Sequence, residues 1–518
     1  MAKNKLVALL GAALGVVLVG GTASAAPSTD ANDNITTPNN TNISVTNVAS
    51  TDTFKACKII NTKYNSSAHT IYYEFGSSWA GFIASAQGSS YASLMADDYS
   101  AYADGGSKTT GRVTGNTDID NLAGALANYL RAHNSYSADG CSDMTVSGTT
   151  ASLAVGTAGA YLILPTSTSN VYSAMVANVD VVTENSDYVV DTTNASIVAK
   201  KSAPYAVVKT SGSNTTFGIG ADIPFVVEAT IPGYPDNTKN SKVIITDVPH
   251  GNIYFSSITA IKENGVALTI DGTNIKKNGV TIGTAVISSS SLVVTLNEGK
   301  SIGSPITVEY VGSISTAAKA GASLTNTATL TFMKDVYNSD VTSTNQASVT
   351  DTTTVKTLGL KVQKLDENDS PLSEPAEFTL YTDANHTNAV SCQTNPTGVS
   401  GTPTTTITTS GGFGETGMGY CRGIAAGTYY LVETKPPFGY KQKSGHTVVT
   451  ISEANATDGI SGNPTVTSGY YTVSVSNEEN DFALPFTGGR GVLVYAITGV
   501  GIVSIASVYY YRKKKSQA

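Results

Sequence analysis

Charge is scarce in this chain of 518 residues, of which only 14% are Asp, Glu, Lys or Arg, roughly half the usual share. This composition argues against a disordered acidic protein. Lys and Arg number 31 against 39 Asp and Glu, so the formal net charge is −8. The body of the chain contains no basic run. Because phosphate binding needs clustered positive charge, we expect no nucleic-acid partner.

Motifs for catalysis and metal binding are also missing. Neither His-Glu-x-x-His nor Gly-x-Ser-x-Gly occurs in the sequence. The five histidines are scattered without metal-ligand spacing, and they are His69, His133, His250, His386 and His446. The sequence therefore predicts a protein that is not an enzyme and that needs neither a metal nor another cofactor.

The N-terminus has a positively charged start and an apolar run. Lys3 and Lys5 precede the apolar residues 6–19, and small residues follow at 23–25. This pattern predicts a secretion signal peptide over residues 1–25. A membrane anchor is the weaker interpretation, because the run is shorter than the roughly 20 apolar residues that cross a bilayer.

The C-terminal end combines an uncharged run at 491–511 with a basic tail at 512–515. At about 1.5 Å per helical residue the run is roughly 30 Å long, which is enough to span a membrane with the basic tail on the cytoplasmic side. A pentapeptide stands just before the run, and its residues are Leu484, Pro485, Phe486, Thr487 and Gly488.

The order of pentapeptide, apolar run and basic tail over 484–518 resembles the cell-wall sorting signal of Gram-positive surface proteins, whose pentapeptide is written LPXTG. In that family a sortase cysteine cuts between the Thr and the Gly, here Thr487 and Gly488, and passes the Thr carbonyl to an amine. The resemblance implies that the membrane span serves only before sorting.

The body of the chain is rich in Thr, Ser, Val, Gly and Tyr and alternates between apolar and polar residues in short segments. This pattern predicts a mainly β protein built from tandem immunoglobulin-like β-sandwiches. Helical spacing of apolar residues over 118–133 predicts a helical insertion in the first domain. Polar, Thr-rich joints at 191–194 and 351–354 divide the body into domains at 33–195, 196–352 and 353–482.

The four cysteines fall two in the first domain and two in the third. Outside the cytoplasm, this distribution favours the disulfides Cys57–Cys141 and Cys392–Cys421. Free thiols and a metal site are the alternatives. No Cys-x-x-Cys or nearby His pair supports zinc.

Polar residues occupy the apolar phase of several strands. Because side chains alternate along a strand, Lys364 shares a face with Leu360 and Val362 and should point inward. The same rule turns a Lys, an acid and an Asn inward in each of two domains. These residues are Lys364, Glu433 and Asn477 in the third domain, and Lys209, Asp247 and Asn326 in the middle domain.

Burial of such groups shifts their pKa values towards the neutral forms. A neutral Lys amine can attack the side-chain carbonyl of Asn, while a protonated acid polarises that carbonyl and relays protons to the departing ammonia. The product is an amide between two side chains. The alternative interpretations are a buried salt bridge with an Asn hydrogen bond, and a misjudged strand phase.

One segment of the third domain is familiar as a motif. Residues 429–440 read YYLVETKPPFGY, which resembles the E-box of sortase-assembled pilins and of collagen-adhesin B-type domains. Pro436 stands where the usual motif has Ala. Residues 364–366 and 376–381 and the closing Asn477 also fit, and the whole body resembles a three-domain, isopeptide-forming backbone pilin, a fimbrial protein.

The resemblance implies two internal isopeptide bonds. Lys364 would be joined to Asn477 with Glu433 as the assisting acid, and Lys209 to Asn326 with Asp247. The first domain shows no comparable trio, and no bond is assigned there.

The resemblance also implies a second amine, which lies in the family near the junction of the first two domains. The usual Val-Tyr-Pro-Lys-Asn wording is absent here. Lys200 is the candidate, because related pilins that lack Tyr-Pro place the Lys four positions before a Pro. Lys201 is a close rival, and two solvated linker lysines are the alternative.

The implied partners are a pilus-specific sortase, a housekeeping sortase, identical subunits in a covalent fibre, peptidoglycan and minor pilins. The implied location is a pilus anchored to the cell wall, where it supports surface adhesion. E-box modules also occur in adhesins, so a monomeric wall-anchored adhesin or a minor pilin that binds a host ligand is the alternative function.

Overall fold

The structure is a computed structural model that describes residues 26–39, 41–67, 69–91, 116–133, 140–184, 187–193, 195–202, 205–235, 237–461, 463–480 and 490–515. The predicted signal peptide and the sorting pentapeptide lie outside the described residues.

The chain is mainly β, as its composition predicts, and its sheets form three successive groups. The strand over Ile306–Ile314 shows why: every second residue is buried, so one side chain in two enters a core between sheets. The predicted tandem β-sandwich fold is therefore confirmed.

The first group contains a four-stranded sheet in the order β10-β1-β6-β5 and a second sheet in the order β3-β2-β7-β8-β9, with β4 paired to β2. β10 pairs in parallel with β1, so this sheet extends to Val198. Its strands are β1 (Asn42–Thr46), β2 (Thr53–Asn65), β3 (Thr70–Phe75), β4 (Cys141–Asp143), β5 (Thr145–Ser147), β6 (Thr150–Ala154), β7 (Gly159–Thr166), β8 (Met175–Glu184), β9 (Asp187–Asp191) and β10 (Ser196–Val198).

The middle group pairs a five-stranded sheet, β11-β12-β20-β14-β15, with a seven-stranded sheet, β16-β17-β18-β19-β13-β21-β22. Its strands are β11 (Ala206–Thr210), β12 (Ile223–Thr230), β13 (Val243–Pro249), β14 (Ile253–Glu263), β15 (Val266–Ala267), β16 (Thr269–Asp271), β17 (Asn274–Lys277), β18 (Val280–Ser288), β19 (Ser291–Leu296), β20 (Ile306–Ile314), β21 (Leu324–Met333) and β22 (Gln346–Val355).

The third group pairs a three-stranded sheet, β26-β23-β29, with a four-stranded sheet, β25-β24-β27-β28. β23 and β29 run parallel, which brings the first and last strands of this group side by side. Its strands are β23 (Leu358–Leu365), β24 (Glu377–Tyr381), β25 (Thr406–Thr408), β26 (Met418–Ile424), β27 (Gly427–Lys435), β28 (Thr447–Ile451) and β29 (Tyr470–Ser476).

Helices are few in the described residues. The helical insertion predicted in the first domain is present as α2, and its buried stripe contains Leu122, Leu126 and Leu130. The α-helices are α1 (Ala80–Ile83), α2 (Asn116–His133) and α3 (Arg490–Lys515), and short 3-10 helices lie at Ser77–Trp79, Ser89–Tyr91, Gly299–Ser301 and Ser343–Asn345.

The helix α3 covers the residues for which the sequence predicts a membrane span. Within the part of the chain that the structure describes, none of the helices has the length and apolar character needed to cross a bilayer. This finding departs from the expectation for residues 491–511.

Candidate cross-linking sites

The inward-facing Lys of the middle domain lies directly against the acid that the sequence pairs with it. Lys209 enters the core from β11, where exposed and buried residues alternate. Its Nζ lies 2.5 Å from Oδ2 of Asp247 on β13, and both side chains are 0% exposed. Alternation along the strands predicts that both side chains point inward, and in the structure both lie in the core.

Tyr310 completes this site, although its place in the sequence does not reveal this role. Its hydroxyl is hydrogen-bonded to both Lys209 Nζ and Asp247 Oδ2. Asn326 Nδ2 donates to the same hydroxyl at 3.0 Å. Tyr310 thus connects the amine, the acid and the amide into one buried cluster.

Two oxygen atoms of this cluster are left without a hydrogen-bond partner among the described residues. They are Oδ1 of Asn326 and Oδ1 of Asp247. A buried carbonyl with no donor is unusual, because burial without a hydrogen bond costs free energy. Because no described residue donates to the side-chain carbonyl oxygen of Asn326, this oxygen is free to accept a hydrogen bond from an acid. Acid-assisted attack on that carbonyl requires such a hydrogen bond.

The surroundings of Lys209 disfavour its charged form. Burial lowers the pKa of Lys209 to about 8, against the opposing effect of Asp247. Burial also raises the pKa of Asp247, against the opposing effect of Lys209. The rings of Phe225 and Tyr310 lie with their centroids 4.4 Å from Nζ. Both shifts move the pair towards a neutral amine and a protonated acid.

The sheet topology decides what a bond in the middle domain would join. Lys209 belongs to the five-stranded sheet, whereas Asp247 and Asn326 belong to the facing seven-stranded sheet. An amide between Lys209 and Asn326 would therefore tie the two sheets of the sandwich across its core.

In the third domain, the Lys and the Asn converge on one backbone carbonyl. Lys364 Nζ donates to the carbonyl oxygen of Leu365 at 2.8 Å and to that of Val475 at 3.1 Å. The backbone N–H of Asn477 donates to the same oxygen of Leu365 at 3.1 Å. The parallel register, which pairs Lys364 with Val475, produces this convergence at the ends of β23 and β29.

Glu433 reaches this site from the facing sheet on β27. Its two carboxylate oxygens accept from Asn477 Nδ2 at 2.9 and 2.8 Å, and one also accepts from the backbone N–H of Lys443 at 2.7 Å. Asn477 Oδ1 is buried and has no hydrogen-bond partner in the described chain. Burial lowers the pKa of Lys364 to about 8, opposed most strongly by Glu433.

The two trios share their chemistry but differ in arrangement. In the middle domain the acid contacts the Lys, whereas in the third domain the acid contacts the Asn. In both, the acid approaches from the sheet opposite at least one reacting partner, and the Asn carbonyl oxygen is unpaired. The structure brings each predicted trio together, and the covalent bonds themselves stay a prediction.

The cysteines lie in two pairs. Cys57 and Cys141 are bonded with an S–S distance of 2.00 Å, and they are directly opposite residues of β2 and β4. Cys392 and Cys421 are bonded with an S–S distance of 1.99 Å. The first bond closes a loop with a sequence separation of 84 residues and the second one of 29.

The two junction lysines differ in their surroundings. Lys200 is exposed, and its backbone N–H points at Met175 Sδ. Lys201 is half-buried and lines a cavity of about 380 Å³. The apolar part of this cavity is formed by Tyr205, Phe332 and Val349. The rival lysine is thus the one that lies beside a cavity.

Among the described residues, no group of three or more His, Cys, Asp or Glu side chains converges.

Comparisons with known proteins locate one family match and a shared fold. Residues 359–464 match the family model of the SpaA prealbumin-like fold domain. A search of curated proteins found no match.

Solved structures of pilins resemble the chain over most of its length. The T6 backbone pilin of serotype M6 Streptococcus pyogenes has a TM-score of 0.59 and 14% identity, covering 85% of this chain and 98% of that chain. The full-length major pilin SpaD from Corynebacterium diphtheriae has a TM-score of 0.47 and 16% identity, covering 83% and 90%. The likeness to the T6 pilin shows that the two chains share a fold.

Proposed function

We propose that this protein is the shaft subunit of a covalent pilus on a Gram-positive cell surface. The observation that carries the proposal is the buried trio of Lys, acid and Asn, which recurs in two successive sandwiches of a chain with the fold of a backbone pilin. A prealbumin-like domain over residues 359–464 supports the same class of protein.

In each trio the neutral Lys amine attacks Cγ of the Asn side chain. A new N–C bond forms, the bond between Cγ and Nδ2 breaks, and Nδ2 leaves as ammonia with one proton taken from the Lys nitrogen. The acid donates a hydrogen bond to the Asn carbonyl oxygen and relays the proton between the two nitrogens. No cofactor is needed, and the protein is the only reactant, so it is a structural protein rather than an enzyme.

These bonds have a mechanical use in a fibre. Each joins a strand near the start of its domain to one near the end, so tension passes through covalent bonds without separating the sheets. By analogy with disulfides, closing loops of about 100 residues adds roughly 4–5 kcal/mol to the free energy of unfolding.

We also propose that the subunits are joined head to tail. A pilus-specific sortase cuts between Thr487 and Gly488 and joins Thr487 to a junction lysine of the next subunit. The spacing of Lys200 from the following Pro favours Lys200 as the acceptor, and Lys201, which lines a cavity, is its rival. A housekeeping sortase then transfers the finished fibre to peptidoglycan, with minor pilins as further subunits.

Wall extracts from cells that carry the protein and its sortases test this function. We expect a high-molecular-mass ladder in denaturing gels, which collapses to monomer in the double variant Lys200→Ala/Lys201→Ala. The two single variants identify the acceptor, and Lys239→Ala is the control, because Lys239 is exposed and lies elsewhere in the middle domain.

The gel pattern distinguishes a pilus shaft subunit from a wall-anchored adhesin. A ladder that survives the double change refutes the acceptor site, while a protein found only as monomer in unaltered cells favours a wall-anchored adhesin.

A further inference from the structure

Two histidines that are far apart in the sequence meet on the surface of the third domain. His386 Nε2 lies 3.0 Å from His446 Nδ1. The first residue follows β24 and the second precedes β28, and these strands flank β27 in one sheet. Spacing along the sequence does not reveal this pair, because the sheet order brings the two turns together.

Two tyrosines hold the imidazoles in place. Tyr381 and Tyr430 are directly opposite each other on β24 and β27. The ring of Tyr381 lies 5.2 Å from that of His386, and the ring of Tyr430 lies 4.9 Å from that of His446 in an edge-to-face contact. Each imidazole therefore packs against an aromatic ring of a rigid strand pair.

The backbone around His386 is also fixed. His386 has a φ of 59°, in a turn that the carboxylate of Asp383 closes by accepting N–H groups of Thr387 and Asn388. His446 stands one residue before the start of β28. His386 is thus held in a hydrogen-bonded turn, and His446 is held by its place directly before a strand of the sheet.

The separation of the two nitrogens matches a metal chelate. Transition metals bind imidazole nitrogen at about 2.0–2.1 Å, and two such bonds that span 3.0 Å enclose an angle of about 94°. Angles near 90° suit the tetragonal geometry of Cu(II) and Ni(II), and Cu(II) binds most tightly of the divalent first-row metals.

We propose that His386 Nε2 and His446 Nδ1 form a bidentate surface site for Cu(II), and that Ni(II) binds more weakly at the same site. On binding, the hydrogen bond between the rings is replaced by two metal–nitrogen bonds. The ring that donates this hydrogen bond moves its proton, by exchange with water, to its other nitrogen, and the second ring already carries its proton there. Both imidazoles are then neutral ligands, and the pair releases no net proton. Water completes the coordination, because the pair lies at the surface. This inference is independent of the proposed pilus function.

The test is a titration of the untagged full-length chain with copper(II) chloride, followed by electron paramagnetic resonance. We expect a site whose spectrum shows coupling to two imidazole nitrogens. His386→Gln and His446→Gln should each weaken it by more than about tenfold, since loss of even an outer-shell partner of a metal site has effects of that size. His250→Gln is the matched control, because His250 is exposed in the middle domain.

The two substitutions lie in different turns, so if one of them disturbs folding, the other can still be tested. A variant whose unfolding temperature is unchanged is correctly folded and is used for the comparison. Background sites remain in all variants and cancel in the comparison. Equal copper affinities in the control and in both variants, or a spectrum without nitrogen coupling from this pair, would overturn the proposal.

Discussion

Lys209 Nζ lies 2.5 Å from Asp247 Oδ2, with both side chains shielded from solvent. Removing two charges from water costs more free energy than their attraction returns unless further hydrogen bonds complete the site. Tyr310 supplies such hydrogen bonds to both groups. We therefore expect the pair to act as two reactants rather than as a stabilising salt bridge.

The hydroxyl of Tyr310 should accelerate bond formation in the middle domain. Tyr310→Phe keeps the ring, which stacks on Phe225 at 5.5 Å, and removes only the group that links the amine, acid and amide. We expect the Lys209–Asn326 bond to form at least about tenfold more slowly, since general acid–base groups contribute 10²-fold or more.

The rate is followed by the loss of ammonia, measured by mass spectrometry at intervals after the chain is made in a short pulse of cell-free synthesis. Tyr254→Phe is the control, because Tyr254 is exposed on the same sheet. Equal rates in the two variants would show that the hydroxyl takes no part.

Stability should depend on pH where Lys209 is left unreacted. Burial lowers the pKa of Lys209 from 10.5 to about 8. Between these values the unfolded chain binds a proton that the folded chain has lost, so the free energy of unfolding rises with pH across this window. In Asn326→Ala, where the amine stays free, we expect a gain of up to about 3 kcal/mol.

Urea unfolding of the middle domain at the two ends of the window measures this gain. The double variant Lys209→Met/Asn326→Ala lacks the amine and should lose most of the pH dependence. A slope that is the same in both variants would mean that the Lys209 amine is not desolvated in the folded state.

Arg422 should fix the junction between the middle and third sandwiches. Its side chain is 0% exposed, and its guanidinium donates to backbone carbonyls on both sides of the junction. These acceptors are Thr316 and Ala318 of the middle segment and Asn395 and Val399 of the third domain.

Arg422→Met removes all of these donors and leaves the buried carbonyl of Ala318 unpaired, which should cost about 1–3 kcal/mol. Calorimetry should show a lower unfolding temperature for the third domain, and small-angle X-ray scattering should show a wider range of angles at the junction. The exposed Lys435→Met serves as control. Unchanged scattering would show that other contacts hold the junction.

The sequence predicts the fold and the two trios for the same physical reason. Alternation along a strand assigns each side chain to a face, and β11 follows this rule, so Lys209 is correctly placed in the core. The rule fails where a strand is buried on both faces. β26 is buried at every position, so alternation could not single out Arg422.

Contacts between distant segments were also beyond sequence reasoning. Tyr310 occupies an apolar phase and looks like an ordinary core aromatic, because its hydrogen bonds depend on the strands that face it. His386 and His446 meet only through the order of strands in the sheet. Local patterns therefore predicted which residues point inward, but not which of them meet.

The intact mass of the secreted chain tests the central claim most directly. We predict a mass lower than the sequence value by one ammonia for each of the two internal bonds, after allowance for the disulfides. Glu433→Ala and Asp247→Ala should each restore one ammonia. A protein with the full calculated mass would contradict the account. So would variants that lack as many ammonia molecules, relative to their own calculated masses, as the unaltered chain does.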